Sequence, residues 1–404
     1  MFSPPIIRLL LAGLAASLVL RQPVTTLLLA LVLLTIALAH SWRRLALRRV
    51  EVSVSLSRER AFPGDPVELA LRLVNRKPLP LTFVELIEQL PKGLRVENTR
   101  LASHGEQRFP AIRQVTALGW YEAQTWRYTL RAGRGVHRFG PAHLRSGDPF
   151  GMLRDERQLP ESARLIVYPR LLAERELGFP LRRLIGDLRK RQHLLSDPVR
   201  TIGIRDYHRD DPLKQVHWSA TARRGQLQTR VFEPTSALDL LCIVDVDTFA
   251  HVAEGIWREQ FEWMLSLAAT VARQLAGAGH SVGFWTNGAS AERKLLVRLP
   301  PSGHPQQLTR ILETLAALTP YSIAPLGKLL KQAPPQLAPG TTLLLIAATW
   351  SADTQAALER LRQRGHPALV VFAGATAPTL AGGTVYHAPF RPGMGPGALP
   401  EDDE

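Results

Sequence analysis

Cysteine is almost absent from this chain: 404 residues carry one, Cys242. An internal disulfide framework is therefore excluded, and such sparing use suits a reducing compartment. Acidic residues are also short, 35 Asp and Glu against 50 Lys and Arg, which leaves a formal net charge of +15. That imbalance calls for an acidic neighbour, either nucleic acid or the anionic face of a membrane. Nucleic acid is not the expected partner, because the chain lacks a stacking platform or a recognised binding module. Two further absences limit the chemistry. His208 and His217 have no Cys or third His nearby to complete a zinc site, and Ser219 stands outside any G-x-S-x-G frame. What remains, 45% hydrophobic and 21% charged residues, is globular in composition and long enough for two or three cores.

Two apolar runs open the chain, "IIRLLLAGLAASLVL" (Ile6 to Leu20) and "VTTLLLALVLLTIALAH" (Val24 to His40). Extended to Trp42, the second is about 19 residues and spans roughly 28 Å as a helix. The first is shorter and holds Arg8 where its side chain can snorkel. Arg21-Gln22-Pro23 between them is only long enough for a tight turn, so residues 1–42 read as a transmembrane hairpin in the lipid bilayer. A cleaved signal peptide is the competing reading, with "ALA" before His40 imitating a cleavage site. Against it stand the second segment and the cations Arg43, Arg44, Arg48 and Arg49, which mark a cytoplasmic flank by the positive-inside rule. The expectation is an inner-membrane protein with two spans and both termini cytoplasmic.

From Val50 the hydrophobic period becomes two. "VEVSVSL" and "VELALRLVN" alternate, "LTFVELIEQL" and "TWRYTLRA" follow, and Gly-containing turns separate them. This predicts a small β-sandwich over 43–155. Residues 156–235 read as a signature segment with a basic linker, "RRLIGDLRKRQ". From Leu238 strand and helix patterns alternate: "LDLLCIVDV", "SVGFWTNG", "TTLLLIAAT" and "PALVVFAG" are apolar enough for buried parallel strands. The expected fold of 236–389 is therefore a doubly wound α/β sheet, and the Pro/Gly-rich stretch 390–404, ending "EDDE", is expected to be disordered.

The densest polar segment is "IRDYHRDDPLKQVHWSATARRGQLQTRVFEP" (Ile204 to Pro234). Asp211 as N-cap, Pro212 at the first helical position and Gly225 after Arg224 predict one helix over 212–224. Leu213, Val216 and Ala220 would form its buried stripe, and Trp218 would be substantially buried. Tyr, Trp, Arg and Asp in such a mixture read first as a hydrogen-bonded structural joint.

The run Arg205, Tyr207, Asp211, Lys214, Val216, His217, Trp218, Ala222, Arg223 also resembles the signature of the bacterial family called domain of unknown function 58. The earlier "RGVHRFGPAHLRSGDPFGMLR" is similar to that family's stretch ending D-P-F-G-L. Asp210 stands where the family has Gly, and Lys214 replaces Arg, losing a planar bidentate donor. The resemblance implies a membrane-anchored cytoplasmic protein with a von Willebrand A-like α/β domain. It also implies an adaptor or scaffold role beside a MoxR-type AAA+ ATPase, without enzymatic activity of its own.

Von Willebrand A domains bind Mg²⁺ through D-x-S-x-S, which supplies the oxygen ligands a hard cation needs. Here "DVDTF" offers Asp245 and Asp247 but Phe249 in the last position, and Ser322 or Thr319 stands in for the later hydroxyl. No acid follows "IAATW", so the expected Mg²⁺ site is degenerate. The alternative is enzymatic. "IVDVDTF" resembles the D-x-D of haloacid-dehalogenase-type phosphatases, with Asp245 as nucleophile, Asp247 as acid and Thr286 as the phosphate-binding hydroxyl. It lacks the later acids that complete their Mg²⁺ site.

Overall fold

The computed structural model describes residues 4–97, 102–104, 109–149, 153–192, 201–208, 211, 213–232, 239–249, 257–291, 296–332, 337–380, 383–388 and 390. The expected disordered tail and the departure at Asp210 lie outside them, apart from Phe390. The chain divides into two compact units, Met1–Val167 and Tyr168–Glu404.

The first unit opens with helices α1 (Pro4–Val19) and α2 (Pro23–Ala46). They pack alongside each other, with Thr26 donating to Ser17 at 3.0 Å. Among the described residues, only α2 forms a helix long and apolar enough to cross a membrane. Its residues Leu27, Leu31 and Leu34 are exposed, as a lipid-facing stripe requires. Beyond it come β1 (Val50–Leu56), β2 (Arg60–Ala61), β3 (Val67–Asn75), β4 (Leu81–Gln89), β5 (Leu94–Glu97) and β6 (Ala102–His104). Then follow β7 (Phe109–Leu118), β8 (Ala123–Ala132), β9 (Gly135–Phe139), β10 (Ala142–Gly147), β11 (Arg154–Leu159) and β12 (Ala163–Val167).

Two antiparallel sheets, β1-β3-β8-β5 and β11-β10-β4-β7-β6, enclose one core, and β2-β12-β9 forms a small third sheet. The alternation in β3 is the cause: Val67, Leu69, Leu71 and Leu73 all point inward and are buried. They meet Val84, Leu86 and Ile112 from the other sheet. This unit runs on past residue 155, because β11 and β12 belong to it and Leu165 lies in its core.

The second unit contains α3 (Leu181–Gln192), β13 (Thr201–Asp206), α4 (Trp218–Arg224), β14 (Gln228–Phe232), β15 (Asp239–Val244), α5 (Arg258–Gly277), β16 (Ser281–Thr286) and β17 (Gly288–Ser290). It continues with β18 (Val297–Ser302), α6 (Gln307–Ala317), β19 (Leu318–Ser322), α7 (Leu326–Lys331), β20 (Thr342–Ala347), α8 (Ala352–Gln363), β21 (Ala368–Phe372) and β22 (Thr384–His387). The main sheet has the order β18-β16-β15-β20-β21-β22, parallel except for β18. Its central strands are buried on both faces. Leu241, Ile243, Leu343 and Leu345 pack with α7 and α8, while the intervening Leu240, Cys242 and Leu344 are equally buried. The body is thus mixed α/β and rich in sheet.

Two expectations are corrected here. The basic stretch is no linker: α3 buries Leu184 and Leu188 completely, and Asp187 accepts a hydrogen bond from the Tyr386 hydroxyl at 2.5 Å. The single helix over 212–224 is broken into a 3-10 turn, Leu213–Gln215, and the seven-residue α4. The reason is competition for backbone bonds. Val216 bridges to Thr229, and the His217 amide donates to the Gln228 carbonyl at 2.8 Å, so these two residues follow β14 instead of a helix.

Candidate functional site

Two places carry the residues that the sequence singles out. The first is the β13–β14 hairpin with α4 beside it. Asp211 does not cap a helix. Its carboxylate accepts from the Arg205 guanidinium at 2.6 Å and from the His208 amide at 2.9 Å, which locks the turn after β13. Arg205 beside it holds the Asp211 carboxyl below the usual carboxylate range. The N-cap of α4 is His217, whose Nδ1 accepts from the Ala220 amide at 3.2 Å. Gly225 closes the helix in the left-handed conformation, φ 72°, as its place after Arg224 predicts.

Trp218 reverses the expectation. It is 66% exposed, and Leu213, expected in the buried stripe, is 68% exposed. Val216 alone of that stripe is fully buried, and Ala220 and Tyr207 are half-buried. Lys214, Ala222 and Arg223 are exposed. The signature therefore splits into a surface ion pair, Arg205–Asp211, and a set of exposed apolar and cationic residues, Leu213, Lys214, Trp218 and Arg223.

The second place lies at the carboxyl ends of the parallel strands. From β15 the chain passes to β16 on one side and later to β20 on the other. This is the topological switch point, where strand order reverses and a crevice opens in doubly wound sheets. Asp245 follows β15, Asn287 follows β16 and Thr349 follows β20. Asn287 is fully buried and clamps the acid pair: its Nδ2 donates to Asp245 Oδ1 at 2.8 Å and to Asp247 Oδ2 at 3.2 Å. Its Oδ1 accepts from the Val246 amide at 2.9 Å, which fixes the orientation of the side-chain amide. Thr349 donates to Asp245 Oδ2 at 3.4 Å. Burial, and then the charge of Asp247, push the Asp245 carboxyl well above the usual range.

The other residues expected at this site stand apart from the clamp. Ser322 pairs with Gly288 in the β17–β19 ribbon, one residue from Asn287, but makes no hydrogen bond to either carboxylate. Thr319 donates to the Ala289 carbonyl. Thr286 is fully buried and its hydroxyl accepts from the Gly288 amide at 3.0 Å. Among the described residues no group of three or more His, Cys, Asp or Glu could hold a metal. Sequence reasoning missed Asn287, since "NG" after a strand reads as a turn. The available signal was an amide directly following a buried strand beside the switch point.

Residues 203–370 match the family described as "Protein of unknown function DUF58". The matched span opens on β13, takes in α4 and the Asp245–Asn287 clamp, and closes within β21. The "Uncharacterized protein YeaD" of Bacillus subtilis (strain 168) is 25% identical over 238 residues, which cover 58% of this chain and 56% of that protein. The chain thus spans a little over half the length of that relative. Among solved structures, the CARDB domain of the PF1109 protein from Pyrococcus furiosus is similar at a TM-score of 0.20 and 8% identity, covering 29% of this chain and 91% of its own. A type II cohesin domain from Acetivibrio cellulolyticus gives 0.21 and 8%, over 30% and 95%. Likeness at that level assigns neither fold nor function.

Proposed function

We propose that this chain is an inner-membrane adaptor or scaffold, anchored by a hairpin of α1 and α2 with both termini in the cytoplasm. Its second unit is read as a von Willebrand A-like domain that presents the signature surface to a protein partner. By family resemblance that partner is a MoxR-type AAA+ ATPase, with assembly or activation of other complexes as the joint outcome. The observation that carries the reading is Trp218. An indole two-thirds exposed on a segment where Leu213, Lys214 and Arg223 are exposed as well has the composition of an interface hot spot, in which Trp and Arg dominate.

The switch-point acids support binding over catalysis. The amide group of Asn287 stands between the two carboxylates, where a cation would have to sit, and Phe249 supplies no ligand. Magnesium does not fit that arrangement, so the pair is read as a cap on the strand ends. A phosphatase would need a free Asp245 nucleophile and a Thr286 hydroxyl turned outward; the first is clamped and the second is buried in its own turn.

The test is capture of the ATPase by the detergent-extracted full chain, read by mass spectrometry. Trp218→Ala is expected to keep the wild-type Tm and weaken capture by about 2 kcal/mol or more, roughly 30-fold in Kd. A lowered Tm with unchanged capture would return Trp218 to a structural role and overturn the reading.

A further inference from the structure

The first unit has one end that the membrane helix enters, and the strand registers identify what else lies there. Val50 pairs with Asn75, Val74 with Ala123, and Leu81 with Leu118. The start of β1, the β3–β4 loop and the β7–β8 turn therefore share the end at which α2 arrives. Hydrogen bonds tie them together. Asn75 Nδ2 donates to the Gly119 carbonyl at 2.8 Å and the Asn75 amide to the Glu122 carbonyl at 2.9 Å. The Tyr121 amide donates to the Lys77 carbonyl at 3.4 Å.

Lys77 in turn holds the helix. Its buried Nζ donates to the carbonyls of Ala46 and, at 3.0 Å, Arg48, capping the carboxyl end of α2. Ala46 and Leu47 are part of the β core, and the Arg76 amide donates to the Arg49 carbonyl at 2.9 Å. No flexible joint separates the helix from the β unit.

At the tip of the tied β7–β8 turn stand Trp120, 69% exposed, and Tyr121, 67% exposed. Tyr121 has φ 53°, a conformation that a bulky residue rarely adopts and that the turn imposes. The acids at this end are engaged: Glu122 accepts from the Gly119 amide at 2.5 Å, and Glu51 from Arg76 at 2.7 Å. The exposed surface at this end thus combines the two aromatic rings and paired acids with Arg43, Arg44, Arg48 and Arg49 around the helix end.

Axial distance sets the level of the helix end to which this turn is tied through Lys77. Val24 to Arg43 covers about 30 Å of helix, one hydrocarbon thickness. Ala46 lies only about 4–5 Å further along, inside an interfacial layer of roughly 5–8 Å. Trp and Tyr favour that layer because their rings are apolar with one polar edge. We propose that Trp120 and Tyr121 insert into the headgroup interface of the bilayer that α2 crosses, as a second anchor that fixes the β unit against the membrane. The inference rests on the reading of α2 as a membrane span.

The experiment uses the full chain in vesicles of phosphatidylethanolamine with a minority of phosphatidylglycerol. A bimane is placed on Trp120→Cys, on Leu34→Cys in α2, and on Lys92→Cys in the turn at the opposite end of the unit. Cys242 is fully buried, so labelling is selective. Lipids with a nitroxide near the headgroup or deep in the chain serve as quenchers. The expected result is loss of fluorescence at position 120 with the shallow quencher, at position 34 with the deep one, and none at position 92. Quenching at 34 without quenching at 120 overturns the anchor and leaves the membrane span standing. No quenching at either position overturns both.

Discussion

Single buried polar residues set how this protein responds to pH. Glu88 on β4 is completely buried, and neither carboxylate oxygen has a hydrogen-bond partner of good geometry. Burial outweighs the pull of the nearby Ser162 hydroxyl and pushes the Glu88 carboxyl up to about 7 from 4.5. The folded state therefore holds a proton that the unfolded chain releases. Its contribution is full below about pH 4.5 and is lost as pH rises through 7, a change of about 3 kcal/mol. Glu88→Gln keeps the shape and removes the titration. Thermal melts at pH 5 and pH 8 should show a smaller drop in Tm for the variant than for the wild type. Asn287 gives a complementary case. Without its two donors the carboxylates of Asp245 and Asp247 face each other unbridged, at a cost of about 2–4 kcal/mol. Because protonation relieves that repulsion, Asn287→Leu should be most destabilised at pH 8 and recover toward pH 5; a penalty independent of pH would make Asn287 a packing residue only.

At the scale of elements, what was legible depended on how far each partner lay along the chain. The alternation of Val67, Leu69, Leu71 and Leu73 announces a strand with one buried face, because its period is local. The apolar runs of β15, β20 and β21 likewise announce strands buried on both faces. The 212–224 segment failed for the opposite reason. Its caps are good helix signals, but Val216 and His217 bond to Thr229 and Gln228, a pairing invisible to local propensity. The clamp at the switch point was half legible: the D-x-D shows in sequence, whereas Asn287 reaches it only through the order of the parallel strands. Lys77 is a similar case, a lysine in a loop that caps a helix ending 31 residues earlier. Burial draws its pKa down to about 8, so it remains mostly charged at neutral pH. Lys77→Met leaves the Ala46 and Arg48 carbonyls unpaired and should cost about 1–3 kcal/mol. Hydrogen exchange should quicken at Arg48–Val50, and unchanged protection there would show that the cap does not hold the helix to the β unit.

At the scale of the whole molecule, charge and hydropathy decide orientation. Topology follows Lys and Arg within a few residues of the span, and four arginines, Arg43, Arg44, Arg48 and Arg49, crowd the exit of α2. The opposite end of α2 has only Arg21. That asymmetry is the ground for the proposed cytoplasmic placement of everything from Val50 onward, and it holds whether or not α1 crosses. The 16 residues of α1 span about 24 Å, less than one hydrocarbon thickness, so its crossing depends on Arg8 reaching the headgroups. Two fusions separate these points. A reporter that folds only in the cytoplasm, placed after Phe390, should be active, and a periplasm-only reporter there should be silent. Placed before Met1, the cytoplasmic reporter should also be active if α1 and α2 form a spanning hairpin. Activity of the periplasmic reporter at the first position would move both units out of the cytoplasm and remove an ATPase from reach. At the second position alone, it would reduce the anchor to a single span while leaving the Trp218 surface facing the cytoplasm.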